Sequence, residues 1–220
     1  MFSIINTTHK GRSVFATRSL TKGTIILKER PLLLAEDAYD AIYQLYGQLS
    51  AIDCDDTASD DATFDTTADM QVQFETLVPT EIDNTLITYD EINRHILTLP
   101  PYMKEFFQNM KPARVRLLIA KFYRNAFRNQ HDKRDSSLPP SAILIQGALL
   151  NHSCDNNIDF YVNKNGDFIF HTNRDIIAGE ELCDTYLDTT QSFKKRHAQL
   201  KSQYGFNCMC IKCVKEKQII

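Results

Sequence analysis

The chain has 220 residues, 43% of them hydrophobic and 24% charged, which suits one large globular domain or one domain with a small appendage. No apolar run approaches the roughly 18 to 20 residues a membrane span needs, and residues 1–10 lack the charged-then-apolar pattern of a secretion signal, so a soluble intracellular protein is expected. The net charge of -3 conceals a segregation: residues 31–93 hold 15 of the 28 acidic groups and no Lys or Arg, leaving 13 acidic against 25 basic groups, or +12, elsewhere.

In chain order, residues 14–17, 24–27 and 32–34 are short β-prone runs separated by turn signals at Gly11, Lys22-Gly23 and Pro31, which predicts an antiparallel meander. Helices are predicted near residues 36–49 and 88–110. Between them, residues 53–69 hold seven Asp with Thr and Ala and little that forms a core, the composition of an exposed or disordered loop. This acidic insert reads either as a solvated surface that offsets the basic body or as a face that meets a basic partner such as a lysine-rich peptide. After Pro112, Val115, Leu118, Ile119, Phe122 and Ala126 recur at helical spacing, with Arg114, Lys121, Arg124 and Arg128 among the polar positions.

A polar stretch, 129–140, precedes a small-and-apolar segment, 142–150, and then the string Asn151-His152-Ser153-Cys154. Strands are predicted over 158–162 and 168–172, joined through Asn165-Gly166, a pair suited to the positive φ angles of a tight hairpin. Phe193, His197, Leu200 and Tyr204 are spaced for one face of a helix that Gly205 can end. Just beyond it Cys208, Cys210 and Cys213 fall within six residues, too tight for a disulfide framework and natural for zinc in a reducing compartment. Taken alone, those three are equally readable as free thiols, and His152 alone reads as a satisfied core histidine.

Three separated strings together resemble the SET-domain family, especially its branch in which a MYND zinc finger often interrupts the domain. They are Lys10-Gly11-Arg12-Ser13-Val14-Phe15-Ala16; Asn151-His152-Ser153-Cys154 with Gly179-Glu180-Glu181-Leu182 to Tyr186; and Tyr204-Gly205-Phe206 leading into the cysteine cluster. The resemblance implies an α+β SET fold, with small β-sheets around a threaded carboxyl-terminal segment, a helical insert and a zinc-binding post-SET segment. The domain would span 1–206, with a variable acidic insert over about 36–110, followed by 207–220. The insert has one cysteine, Cys54, so the many-ligand MYND finger is absent from it.

The activity implied is transfer of a methyl group from S-adenosylmethionine to a lysine side chain of another protein, histones among the candidates, in nucleus or cytoplasm or both. An in-line attack by a neutral amine needs donor and acceptor held at roughly 3 to 3.5 Å. Deprotonating a lysine of pKa about 10.4 at pH 7 costs on the order of 4 to 5 kcal/mol, which an apolar channel reduces without a dedicated base. By the resemblance, Tyr186 directs its hydroxyl at the transfer centre and also touches cofactor, while Tyr204 is the second wall of the lysine channel. Lys10, Gly11 and Arg12 match the glycine loop around the methionine part of the cofactor. Asn151 and His152 match the pair that holds it, with Asn125 and Phe206 as further binding candidates. Cys154, where the family recruits its fourth ligand, would complete a zinc set with Cys208, Cys210 and Cys213; Cys54 and Cys183 fall outside it. Two positions depart from the family: Ser13 replaces a usual second glycine and Asn156 a usual proline. They motivate the competing reading, an inactive SET-fold scaffold or binding module. A zinc-finger nucleic-acid binder using the +12 body is weaker, because the four ligands close a wall rather than frame a reading helix. No membrane partner is expected.

Overall fold

A computed structural model describes residues 1–8, 10–47, 66–80, 87–128 and 140–218. Most of the predicted loop at 53–69 and of the polar stretch at 129–140 lies outside those residues. The chain divides into two compact units, one built from Met1–Pro31 with Leu144–Ile220, the other from Leu32–Asn129 with Leu138–Ile143. No helix among the described residues is long and apolar enough to cross a membrane.

In the first unit, β1 (Phe2–Thr7) and β2 (Gly11–Ala16) form an antiparallel hairpin with Ile4 opposite Val14. The expected meander stops there. Strand β3 (Ile25–Glu29) pairs instead with β9 (Phe168–Thr172), whose other edge takes β8 (Ile158–Val162), in the order β3-β9-β8. The cause lies in β9: Phe168, Ile169 and Phe170 are all buried, the mark of a central strand covered on both faces, and such a strand has two edges to satisfy. The β8–β9 hairpin forms as expected, but its last pair is Val162 with Phe168, so five residues make the turn. Asn163 Oδ1 accepts from the Asn165 and Asp167 amides, and the positive φ belongs to Gly166 (80°) and not to Asn165.

Two short strands, β7 (Asn151–His152) and β10 (Cys183–Asp184), run parallel. Helix α6 (Phe193–Tyr204) ends as predicted at Gly205, whose left-handed φ of 81° is open to glycine at little cost, and α7 (Ile211–Lys217) follows the cysteine cluster.

The second unit holds β4 (Leu33–Ala35), β5 (Ala126–Arg128) and β6 (Ser141–Ile143) in the order β4-β6-β5. Its helices are α1 (Ala38–Tyr46), α2 (Thr66–Glu75), α3 (Tyr89–Thr98), α4 (Pro101–Asn109) and α5 (Pro112–Asn125). Residues 66–69, expected in the loop, open α2. The single helix expected over 88–110 is two, because a residue before proline is driven out of the helical region and Leu99 sits at ψ 159° ahead of Pro100. Helix α5 buries Val115, Leu118, Ile119 and Phe122 as its periodicity predicts. Lys121, read as a polar-face residue, is buried as well: its ammonium donates to the carbonyls of Glu75 (2.9 Å) and Leu77 at the end of α2, where the helix dipole favours a cation.

Candidate active site and metal centre

The site belongs to the first unit and is assembled from four distant stretches. The parallel β7–β10 ladder sets Cys183 opposite Asn151 and Asp184 opposite His152. Asn157 locks it: buried, it donates Nδ2 to Glu180 Oε1 and to the Glu181 carbonyl, and its Oδ1 accepts from the Cys183 amide at 2.8 Å. Asn151 ties this ladder to the first hairpin, donating Nδ2 to Arg12 O (3.0 Å), Ser13 Oγ (2.9 Å) and Glu181 Oε1 (3.1 Å). Ser13 is fully buried in β2, so the departure from glycine supplies an anchor for Asn151. Asn156, at the other departure, braces its own loop by donating to Ile158 O and Asp159 Oδ1.

Residues Lys10, Asn151, His152, Tyr186, Phe206, Cys208 and Cys210 line a cavity of about 490 Å³, with Glu181, Asp155, Arg174 and Met209 among its other walls. That volume lies in the range of small-molecule and cofactor sites. At its rim Lys10 Nζ meets Glu181 Oε2 at 2.6 Å. Burial pulls the Lys10 ammonium down and the Glu181 carboxyl up, but their mutual hydrogen bond and charge outweigh this, leaving the ammonium above and the carboxyl below its ordinary range. Gly11, at φ 68°, begins β2 in a backbone region that L side chains rarely adopt.

Tyr186 follows β10. Its hydroxyl donates to Leu150 O at 2.7 Å, which leaves the oxygen lone pairs available, and burial raises the phenol pKa so that the group stays neutral. The Tyr204 ring packs 4.9 Å from it, centroid to centroid, and Phe206 stands 6.3 Å beyond Tyr204. His152 Nδ1 accepts the Tyr186 amide at 3.0 Å, so the ring proton sits on Nε2, which faces Cys154 Sγ at 3.2 Å. Burial, with Arg196 and Lys10 near, lowers this histidine to about 4, so it is neutral at pH 7.

The sulfurs of Cys154, Cys208, Cys210 and Cys213 all lie within 4.8 Å of one another. Four thiolates about 2.3 Å from one tetrahedral zinc stand roughly 3.8 Å apart, so the set fits that ion. Cys183 is buried away from it, raised to about 12 by desolvation.

Of the residues expected at the site, Gly11 and Arg12 flank the cavity without lining it, and Tyr204 backs Tyr186. Asn125 belongs to the other unit, where its amide donates to Val78 O and to Lys121 O (2.7 Å). Sequence reasoning passed over Asn157, the carboxylate role of Glu181, and Arg196, whose position on the apolar side of α6 was the available signal.

The family model for the SET domain matches residues 11–187, and the chain belongs to that family. It is 30% identical over 220 aligned residues to a SET domain-containing protein of Acanthamoeba polyphaga mimivirus, covering 93% of this chain and 74% of that protein. A shorter match, 44% over 66 residues, links it to the histone-lysine N-methyltransferase SMYD3 of Mus musculus, over 30% of this chain and 15% of that one. Among solved structures, Rubisco LSMT bound to AdoMet superposes with a TM-score of 0.56 at 15% identity, over 94% of this chain and 51% of that chain, which shows the fold. The chain thus spans about half the length of that solved relative and less of SMYD3.

Proposed function

We propose that this chain is a protein-lysine N-methyltransferase that uses S-adenosylmethionine. The observation that carries the reading is the convergence, on one cavity of a SET-family chain, of Lys10, Asn151, Tyr186 and Phe206, with the four-cysteine set as its wall. When bound, S-adenosylmethionine supplies a methyl group on a positively charged sulfur. Asn151 has its amide donors taken by Arg12, Ser13 and Glu181, so its Oδ1 is the atom left to accept from the cofactor's ammonium. Lys10 offers a cation to a carboxylate, and Phe206 an apolar face to adenine. His152 acts by position: its two nitrogens are spent on the Tyr186 amide and the Cys154 sulfur.

Tyr186 and Tyr204 form the lysine channel. Held by Leu150, the Tyr186 oxygen presents lone pairs that orient a methyl group through weak C–H···O contacts, and the two rings exclude water and disfavour an ammonium. Cys154, Cys208, Cys210 and Cys213 hold one structural zinc, with residues 207–220 as the post-SET segment that brings three of the ligands. The substrate is a protein lysine, histones being the first to try because SMYD3 is named a histone-lysine N-methyltransferase, with residence in nucleus or cytoplasm to match. The test is calorimetric binding of S-adenosylmethionine to the purified chain, then methylation of a lysine-peptide array read by mass. Binding with added 14 Da products on lysine supports the enzyme; binding with no product on any array or histone supports the inactive scaffold.

A further inference from the structure

Arg196 is a charged residue, 1% exposed, on the inner face of α6. A guanidinium has five N–H donors in a rigid fork and is costly to bury without acceptors. Here Nε donates to Cys154 Sγ at 3.3 Å, Nη2 to Cys213 Sγ at 3.8 Å and to a Glu216 carboxylate oxygen, and Nη1 to the Gln191 carbonyl. Two sulfurs of the cysteine set thus face a fixed positive charge. Cys154 Sγ also receives His152 Nε2 at 3.2 Å. From that single sulfur, one path runs through His152 to the Tyr186 amide at 3.0 Å, and another runs through Arg196 along α6 to Tyr204, eight residues later on the same helix.

We propose that Arg196 is a positioning residue of the metal centre: its guanidinium offsets part of the negative charge of the four-thiolate site and fastens α6, with the Tyr204 wall of the lysine channel, to the same sulfur that orients Tyr186 through His152. The proposal rests on the zinc reading given above. Its electrostatic logic is direct. Four thiolates around a divalent ion leave a net charge of −2, and a buried cation donating to two of them lowers the electron density on sulfur and reduces that excess. Glu216, a third exposed, shares the guanidinium and keeps it aimed from α7. A lysine at 196 would keep the charge and lose the fork, so it would reach one sulfur rather than both.

The experiment uses the full chain. Zinc content of the parent is measured first, followed by the rate of zinc transfer to a competing chelator for the parent, Arg196→Gln and Arg196→Lys. The thiolate-to-cobalt charge-transfer band of each protein is then recorded after cobalt substitution. Outer-shell partners are typically worth 10- to 100-fold in metal affinity, so Arg196→Gln is expected to lose zinc roughly 10- to 100-fold faster, with Arg196→Lys intermediate. The cobalt band should move to lower energy in Arg196→Gln, because sulfur freed of its N–H donors is a better electron donor; a role limited to packing would leave the band in place. Should Arg196→Gln not fold, Arg196→Lys carries both readouts. A parent that holds no zinc overturns the metal centre and this proposal together. A parent that holds zinc, with variants showing its release rate and band position, overturns the role of Arg196 alone.

Discussion

Tyr186→Phe removes one oxygen and keeps the ring. The lost hydroxyl donates to Leu150 O at 2.7 Å, and Leu150 is buried, so the substitution leaves that carbonyl without this donor. An orphaned buried acceptor costs about 1–3 kcal/mol, and for a chain of this size each kcal/mol is worth roughly 2–4 °C, which predicts a melting point lower by about 2–12 °C with the fold retained. The effect on rate is separate. If the oxygen orients methyl and amine, kcat should fall by roughly one to three decades, about 1.4–4 kcal/mol of transition-state stabilisation, while S-adenosylmethionine affinity changes little. Burial holds the phenol above its ordinary pKa, so the deficit should be the same across pH 6 to 9 rather than growing as a phenolate forms. The assay is methyl transfer to a verified lysine peptide at saturating cofactor, well below the melting point, with zinc content checked in parallel. A variant that keeps the parent's full rate under those conditions makes Tyr186 a packing residue and removes the catalytic assignment.

The purified chain should contain one zinc, and Cys154→Ser or Cys208→Ser should release it and loosen the carboxyl-terminal helices, as elemental analysis and proteolysis would show. Asn151→Ala should weaken S-adenosylmethionine binding by about 10-fold or more in calorimetry, since it removes the free Oδ1 and unties Arg12 and Ser13, whereas an unchanged Kd would deny Asn151 a place at the cofactor. Asp184 is buried and raised from 3.8 to about 7 by desolvation, so the folded chain keeps a proton that the unfolded chain releases. Stability is therefore greatest below about pH 4 as regards this group and is lost as pH rises to about 7. Asp184→Asn should melt higher than the parent at pH 8, by up to about 4 kcal/mol in stability, with the gap shrinking steadily toward pH 5. Replacing Asp53, Asp55, Asp56, Asp60 and Asp61 with Asn should weaken capture of a basic substrate at low salt and leave cofactor affinity alone; an unaltered salt dependence would mark the insert as a solvated surface only.

Local periodicity made the β8–β9 hairpin, α5 and α6 legible, because each is specified by neighbours a few residues away. Pairings such as β3 with β9 were not, since the edge that β9 offers is known only once its burial on both faces is known. Lys121 shows the same limit from the polar side: a lysine at a helix position reads as solvated until the carbonyls it caps are seen. At the site, the four cysteines and the Asn-His string stood out by residue type and by family resemblance. Asn157 and Arg196 did not, because an asparagine in a loop and an arginine on a helix carry no signal of their own until the amides and sulfurs they serve are in place. Ser13 and Asn156, which as departures weighed toward an inactive scaffold, each make hydrogen bonds that a glycine or proline side chain has no means to make.

The cavity draws one wall from residue 10, another from 151–157, a third from Arg174 and 180–186, and the last from 206–211. During synthesis, then, the first hairpin can form long before the stretch at 206–211 that closes the pocket has been made. At ~5–20 residues per second the interval from β3 to the last cysteine is about 10–40 s, for most of which β3 waits for the β9 edge it pairs with, and three of the four cysteines arrive after β9. A premature stop even a dozen residues before position 213 would leave a protein with most of its sheets and no finished cavity. A closed cavity in such a chain is a report that translation passed the cysteine cluster.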